Sequence, residues 1–222
     1  MVERFGRLML VALVAFAALS EAANGQQSTK DSARPIKLVA FGDSLTAGLG
    51  LPLASAFSAK LEAALRGKGY KVDVVNAGVS GDTVADGLAR LDWSIPEGTD
   101  AVIVELGAND ALRGLDPKLT RSGLDEIVKR LRQRNVAVML AGMYAPRNLG
   151  PEYSAQFDPI YPDLAKAYDL PLYPFFLDGV AADLNLNQAD GLHPTAAGVD
   201  IIVARILPTV EALLTKVSAQ RS

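Results

Sequence analysis

Five short apolar runs, rich in β-branched residues, recur along the chain between glycines, prolines, asparagines and aspartates. They fall at residues 36–41, 72–75, 101–106, 136–141 and, more weakly, 172–175. Runs of this length with these boundaries predict buried strands. Between them the apolar spacing changes to that of helices. In SAFSAKLEAALRGKG (55–69), Phe57, Leu61, Ala64 and Leu65 share one face, with Ser55 as the expected cap and glycine past the end. In LTRSGLDEIVKRLRQRN (119–135), Leu124, Ile127, Val128 and Leu131 share a face, and basic residues come late, where they suit the helix dipole. TAAGVDIIVARILPTVEALLTKV (195–217) carries a long apolar stripe that Pro208 is expected to interrupt. The stretch 144–163, YAPRNLGPEYSAQFDPIYPD, shows neither period and reads as a long irregular connection, the kind that binds ligands.

Strand and helix alternating in this way predict right-handed crossovers and an α/β fold whose parallel sheet is covered on both faces. Ligands of such sheets bind beyond the carboxyl ends of the strands, so the residues that follow each strand matter most. Gly42-Asp43-Ser44 follows the first, Asn76-Ala77-Gly78 the second and Gly107-Ala108-Asn109-Asp110 the third. The connection before the last helix carries Asp190 three residues ahead of His193.

Composition narrows what this edge can do. The chain has 222 residues, half of them hydrophobic and 21% charged, which suits one globular domain with a real core. A net charge of −3 and the lack of any basic block give nucleic acid no field to follow. The absence of cysteine removes disulfides, thiolate metal sites and a thiol nucleophile. His193 is the only histidine, so a multi-histidine zinc site is impossible and any imidazole chemistry runs through it. No metal or other cofactor is expected.

A hydroxyl, a glycine amide, a carboxamide and an aspartate–histidine pair are the parts that acyl transfer needs. A serine hydroxyl attacks only when a base takes its proton, and a carboxylate on the other ring nitrogen holds the imidazole in the right tautomer. The developing oxyanion needs donors already aimed at it; Ser44 N–H, Gly78 N–H and the Asn109 amide are candidates. Each residue also has an ordinary structural use. Ser44 can cap a helix, His193 can pack in a turn, and Asn109 and Gly78 can serve turns. Asp43, Asp82 and Asp110 compete with Asp190 as the carboxylate and read as loop organisers that accept backbone N–H bonds.

Four blocks in order, FGDSLTAG (41–48), NAGVSGDT (76–83), ELGANDALRG (105–114) and DGLHPTAAG (190–198), resemble those of the SGNH hydrolase superfamily, also called GDSL esterases. The resemblance runs from Ile36 to the C-terminus and is nearest the thioesterase I, lysophospholipase and arylesterase branch. It implies a flavodoxin-like three-layer α/β/α sandwich on a five-stranded parallel sheet. It also implies a Ser44–His193–Asp190 triad with Ser44, Gly78 and Asn109 as oxyanion donors. The implied substrate is a small-molecule acyl ester or thioester, with the 144–151 segment helping to hold the acyl chain. Leu49, Tyr144, Pro146, Leu149, Phe157 and Ile160 are the candidates to line its pocket, with plain core as their other reading; Met143, at a strand end, has the weaker claim. Four rivals remain. A non-catalytic carbohydrate- or lipid-binding relative would not need the intact Ser44, Asp190 and His193. A carbohydrate acetyl esterase would want aromatic stacking beyond the single Trp93. A phosphate-binding flavodoxin-like module would want a GxGxxG or GxxxxGK loop, which is absent. An α/β-hydrolase would want GxSxG, where Thr46 fills the last place.

The N-terminus reads as an export signal over residues 1–23. Arg4 and Arg7 precede the apolar LMLVALVAFAAL (8–19), and small residues around Ala22 and Ala23 suit cleavage. An uncleaved anchor is the alternative reading. Residues 24–35 read as a polar linker and 36–222 as the hydrolase domain, expected as a periplasmic or secreted monomer with no membrane span once the signal is gone.

Overall fold

Residues buried on both sides dictate the sheet. In β1 (Ile36–Gly42) only Lys37 is not fully buried, and all five residues of β3 (Ala101–Glu105) are buried. Such strands need helices on both faces, which parallel crossovers supply. The computed structural model describes residues 34–221. The expected signal at 1–23 and the linker up to residue 33 lie outside the described residues. Ile36–Val217 forms one compact unit, which carries the sheet and the site.

Five parallel strands lie in the order β2-β1-β3-β4-β5, with β2 at Val72–Gly78, β4 at Ala137–Ala141 and β5 at Leu172–Tyr173. This is the flavodoxin-like order. The chain leaves β1 for one neighbour, β2, and then returns to the other, β3, so the connections diverge where β1 meets β3. Gly42 pairs with Gly78 on one side and with Glu105 on the other, which brings three strand ends level beneath that crevice. The free edge of β2 is covered by side chains: Val74 N–H donates to Glu62 Oε2 at 2.6 Å and Arg66 Nε donates to Val72 O at 3.0 Å.

The helices are α1 (Ser44–Ala47), α2 (Phe57–Gly67), α3 (Val84–Ser94), α4 (Ala108–Leu112), α5 (Pro117–Gln133), α6 (Pro151–Phe157), α7 (Ile160–Tyr168) and α8 (Ala196–Arg221). Four details depart from the sequence pattern. Ser55 does not cap α2; it ends a 3₁₀ turn, and Ala56 precedes the helix without a capping side chain. A helix that the sequence reading did not include, α3, is opened by a reciprocal Thr83–Asp86 capping box. Pro208 does not break α8: Ala204, whose carbonyl loses its donor, and Pro208 both face solvent. The stretch expected to be irregular is largely helical, because Pro151 opens α6 and Pro159 stands at the cap of α7.

That last difference moves two expected pocket residues into the core. Phe157 and Ile160 are 0% and 1% exposed, with Phe157 between the rings of Tyr153 and Tyr161 at 5.9 and 6.1 Å. Once α6 and α7 form, their apolar faces turn to the sheet.

Candidate active site

The turn that carries Ser44 starts at Gly42. A side chain there would put Cβ 2.2 Å from Thr46 Oγ1 and 2.4 Å from the Glu105 carbonyl, so the strand can end here only as glycine. Asp43 follows as the cap of α1, accepting Leu45 N–H on Oδ1 at 3.0 Å. Ser44 is thereby lifted to the C-terminal end of β1, at the crevice between β1 and β3. Gly48, at φ 79°, closes the helix after one turn.

His193 arrives from the opposite side on a loop with its own ties. Gln188 N–H donates to His193 O at 2.7 Å, and Gln188 Nε2 donates to Pro194 O at 3.0 Å and to Leu49 O at 2.7 Å. Gln188 therefore clips the histidine loop to the far end of the nucleophile turn. A loop glutamine is usually a surface residue, and nothing in its neighbourhood in sequence marks it out. Asp190 Oδ1 accepts Leu192 N–H at 2.9 Å and His193 N–H at 3.0 Å, while Oδ2 meets His193 Nδ1 at 2.7 Å. These donors, led by the His193 amide, hold the Asp190 carboxyl well below the usual carboxylate range. On the other ring edge, His193 Nε2 lies 2.8 Å from Ser44 Oγ. Serine, histidine and aspartate thus form one continuous hydrogen-bonded line.

The three rival carboxylates are spent elsewhere. Asp110 accepts Val84 N–H at 2.9 Å and the Thr120 hydroxyl at 3.1 Å. Asp82 forms a buried ion pair with Arg90, a side-chain partner rather than the backbone donors expected of it. Asp43 accepts from Leu45 N–H and, on Oδ2, from Asn109 Nδ2 at 3.1 Å. Burial pushes Asp43 up to about 6, against the pull of these donors and of His193.

Asn109 stands at the crevice on α4. Its amide hydrogens have acceptors at Asp43 Oδ2, 3.1 Å, and the Asp82 carbonyl, 2.9 Å. Serving an oxyanion requires it to share or withdraw the longer of the two. Gly78 does not fit the role expected of it. Its N–H donates to Asn76 Oδ1 at 2.9 Å, and its bare Cα lies against the nucleophile turn, where a Cβ would meet Ala47 N at 2.3 Å. It is a close-approach glycine. The second glycine of the same block, Gly81, has φ 89° and precedes the carbonyl that holds Asn109. Its N–H has no acceptor among the described residues. The positive φ is invisible in sequence, although the pair of glycines three apart was there to be weighed.

A cavity of about 610 Å³ opens beside Ser44 and His193. Leu112, Met143, Tyr144, Pro146, Phe175 and Leu177 are among its apolar walls, and Arg147 is its one cation. Tyr144 leans on Phe175 with ring centroids 4.9 Å apart. Of the six residues expected here, Tyr144 and Pro146 line the cavity. Leu49 is 46% exposed beyond the Gln188 clip, and Leu149 sits in the 3₁₀ turn at Arg147–Leu149, outside the walls. Met143, given the weaker claim, is a wall residue. Among the described residues no cluster of three or more His, Asp or Glu side chains is placed to hold a metal ion.

A flavodoxin-like sheet with a hydrogen-bonded serine–histidine–aspartate line at its switch point defines a carboxylic ester hydrolase of the SGNH class. Comparison with known proteins agrees: residues 40–201 match the GDSL-like Lipase/Acylhydrolase family, and the chain belongs to it. It is 39% identical over 178 residues to Esterase TesA of Pseudomonas aeruginosa, covering 80% of this chain and 89% of that one. To the Thioesterase 1/protease 1/lysophospholipase L1 of Escherichia coli K12 it is 40% identical over 158 residues, 71% of this chain and 74% of the relative. The crystal structure of AlinE4, an SGNH-hydrolase family esterase, superposes with a TM-score of 0.69 at 46% identity, covering 82% of this chain and 97% of AlinE4.

Proposed function

We propose that the chain is an exported serine esterase that cleaves acyl esters, acyl thioesters or lysophospholipids through an acyl-enzyme on Ser44. The observation that carries this reading is the line Asp190–His193–Ser44, with contacts of 2.7 and 2.8 Å, at the mouth of an apolar cavity. The acyl chain enters the cavity between Leu112, Met143 and the Tyr144–Phe175 pair. Ser44 Oγ attacks the carbonyl carbon as its proton passes to His193 Nε2, and Asp190 stabilises the imidazolium through Nδ1–H. Charge gathers on the carbonyl oxygen, where Ser44 N–H, Gly81 N–H and the Asn109 amide receive it. His193 returns the proton to the leaving alcohol or thiol, and the C–O or C–S bond breaks. Water then repeats the cycle on the acyl-enzyme, releasing the acid and restoring Ser44. Export rests on the basic, apolar and small-residue order of residues 1–23.

Walls that are mostly apolar away from the triad favour an acyl chain over a sugar. Trp93, the aromatic a carbohydrate reading would enlist, lies on α3 at 74% exposure and is no part of the cavity. Among the described residues no helix is long and apolar enough to cross a membrane. The test is hydrolysis of p-nitrophenyl and acyl-CoA esters across chain lengths, with Ser44→Ala as control and a phosphonofluoridate to locate the nucleophile. The adduct is expected on Ser44; an adduct on another serine overturns the assignment.

A further inference from the structure

Beneath the nucleophile turn lies a carboxyl group that the proposed chemistry does not use. Glu105, the last residue of β3, is 0% exposed. Its Oε2 lies 2.7 Å from Thr46 Oγ1, and its Oε1 is buried with no hydrogen-bond partner among the described residues. Thr46 is also 0% exposed and belongs to the same helical turn as Ser44. Gly42 is bare because Glu105 fills the space above it: a Cβ there would lie 2.5 Å from Glu105 Oε2. A four-residue helix has almost no stability of its own, so its anchors set its position. Two of these anchors are carboxyls, Asp43 at the cap and Glu105 below Thr46.

Both carboxyls are fully buried, and the charge of Asp43 is felt at Glu105. Among the described residues no cation pairs with Glu105. Arg90, on α3, is committed to Asp82 and to the carbonyls of Gly42 and Ala77. Tyr161, on α7, donates to Leu106 O at 2.7 Å, and Asp110, on α4, is tied to Val84 and Thr120. His193 lies on the Asp43 side of the pair. Two adjacent buried carboxylates without a cation are too costly to keep, so one must be neutral. Asp43 has two donors and the imidazole. Glu105 is fully buried, and although the Thr46 hydroxyl and the Asp43 and Thr46 backbone amides lie toward its carboxyl, Oε1 stays an orphan, tolerable on a neutral acid and very costly on an anion.

We propose that Glu105 is a positioning residue for the nucleophile turn and that it works as the neutral acid, bonded to Thr46 Oγ1. The inference rests on Ser44 being the nucleophile. In this form the acid holds the underside of α1 without placing a second negative charge below the site where the oxyanion forms. Burial, reinforced by Asp43, pushes the Glu105 carboxyl well above its ordinary range, in the same direction.

Infrared difference spectroscopy and kinetics test this on the folded enzyme. At neutral pH the wild-type minus Glu105→Gln spectrum is expected to show the C=O stretch of a protonated carboxylic acid. Loss of carboxylate bands instead overturns the proposal. Glu105→Leu should lower kcat roughly 10–100-fold with KM within about twofold, as a displaced nucleophile does. Glu105→Gln, which keeps the shape and polarity of the neutral acid, should recover activity to within about threefold of wild type. Equal damage in both variants sinks the proposal. Should Glu105→Leu not fold, Thr46→Val supplies the kcat loss from the other end of the contact, and an undiminished kcat there also counts against it. Ser44→Ala run in parallel separates the two readings: retained activity removes Ser44 as nucleophile, while the infrared band still reports on Glu105.

Discussion

Arg90 offers the sharpest test of how this site is held in place. Its side chain is 8% exposed and pairs with Asp82, itself 12% exposed. The guanidinium donates to Gly42 O at 2.8 Å, to Ala77 O at 2.9 Å and to Ser94 Oγ at 3.0 Å, and stands 4.4 Å from the Phe41 ring centroid. It therefore joins the ends of β1 and β2 to the loop whose Asp82 carbonyl holds Asn109. Replacing it by Met keeps much of the length and apolar contact but leaves Asp82 as a buried carboxylate without its cation. Breaking a buried pair from one side costs about 3–5 kcal/mol, mostly from the stranded charge. At about 2–4 °C per kcal/mol for a chain of this size, the melting temperature should fall by roughly 6–20 °C. Arg90→Lys should recover only part, since one ammonium cannot serve acceptors arranged around a planar fork.

The assay is thermal unfolding at neutral pH followed by circular dichroism, for Arg90→Met, Asp82→Leu and the double variant. With both charges gone no ion is stranded, so the double variant should be more stable than either single one. A fall of less than about 2 °C in Arg90→Met, against the roughly 6–20 °C worked out from the buried pair, would refute the reasoning. So would a double variant no better than the singles. Either result would mean that water or a rearranged loop solvates Asp82 as well as the guanidinium does.

Two further predictions concern neighbouring groups. Asp190→Asn should lower kcat roughly 10²–10⁴-fold at nearly unchanged melting temperature, because it alters the His193 tautomer at a half-exposed carboxyl. Asp110→Asn should do the reverse, costing about 1–3 kcal/mol through the Val84 and Thr120 contacts with little change in kcat; melting curves and initial rates on both variants decide it. Gly78→Ala drives a Cβ to 2.3 Å from Ala47 N and 2.8 Å from Asp43 O, backbone atoms of the nucleophile turn that cannot step aside. It should cost about 1–3 kcal/mol and lower kcat together, whereas an unchanged enzyme would show the turn to be looser than its packing implies.

What could be read from the residues was whatever depends on neighbours in sequence. Buried strands announce themselves by apolar runs, and Asp190 and His193 are close enough along the chain to meet within one turn. Ser44 and His193 lie 149 residues apart, and their meeting was legible only because the strand ends gather at one edge of a parallel sheet. Roles that depend on direction were not legible. Gly78 and Gly81 are equivalent letters until φ and the Asn76 side chain separate them. The acyl wall was legible only in part for the same reason: within the stretch that shows no period, Pro151 and Pro159 stand at helix starts, so Phe157 and Ile160 turned inward, and the wall comes partly from Phe175 and Leu177 after β5. This difference has a measurable consequence. Phe157→Ala removes a ring that is 0% exposed and should cost about 3–5 kcal/mol of stability, leaving the preference among acyl chain lengths as it was. Phe175 supports Tyr144 at the cavity, so Phe175→Ala should cost less stability. It should lower kcat/KM for long acyl esters roughly tenfold while acetyl esters, too short to reach the wall, change little. Melting curves and a chain-length series on the two variants decide the matter. If Phe157→Ala shifts the chain-length preference and Phe175→Ala does not, the acyl chain runs under α6, and the cavity beside Ser44 is not where it lies.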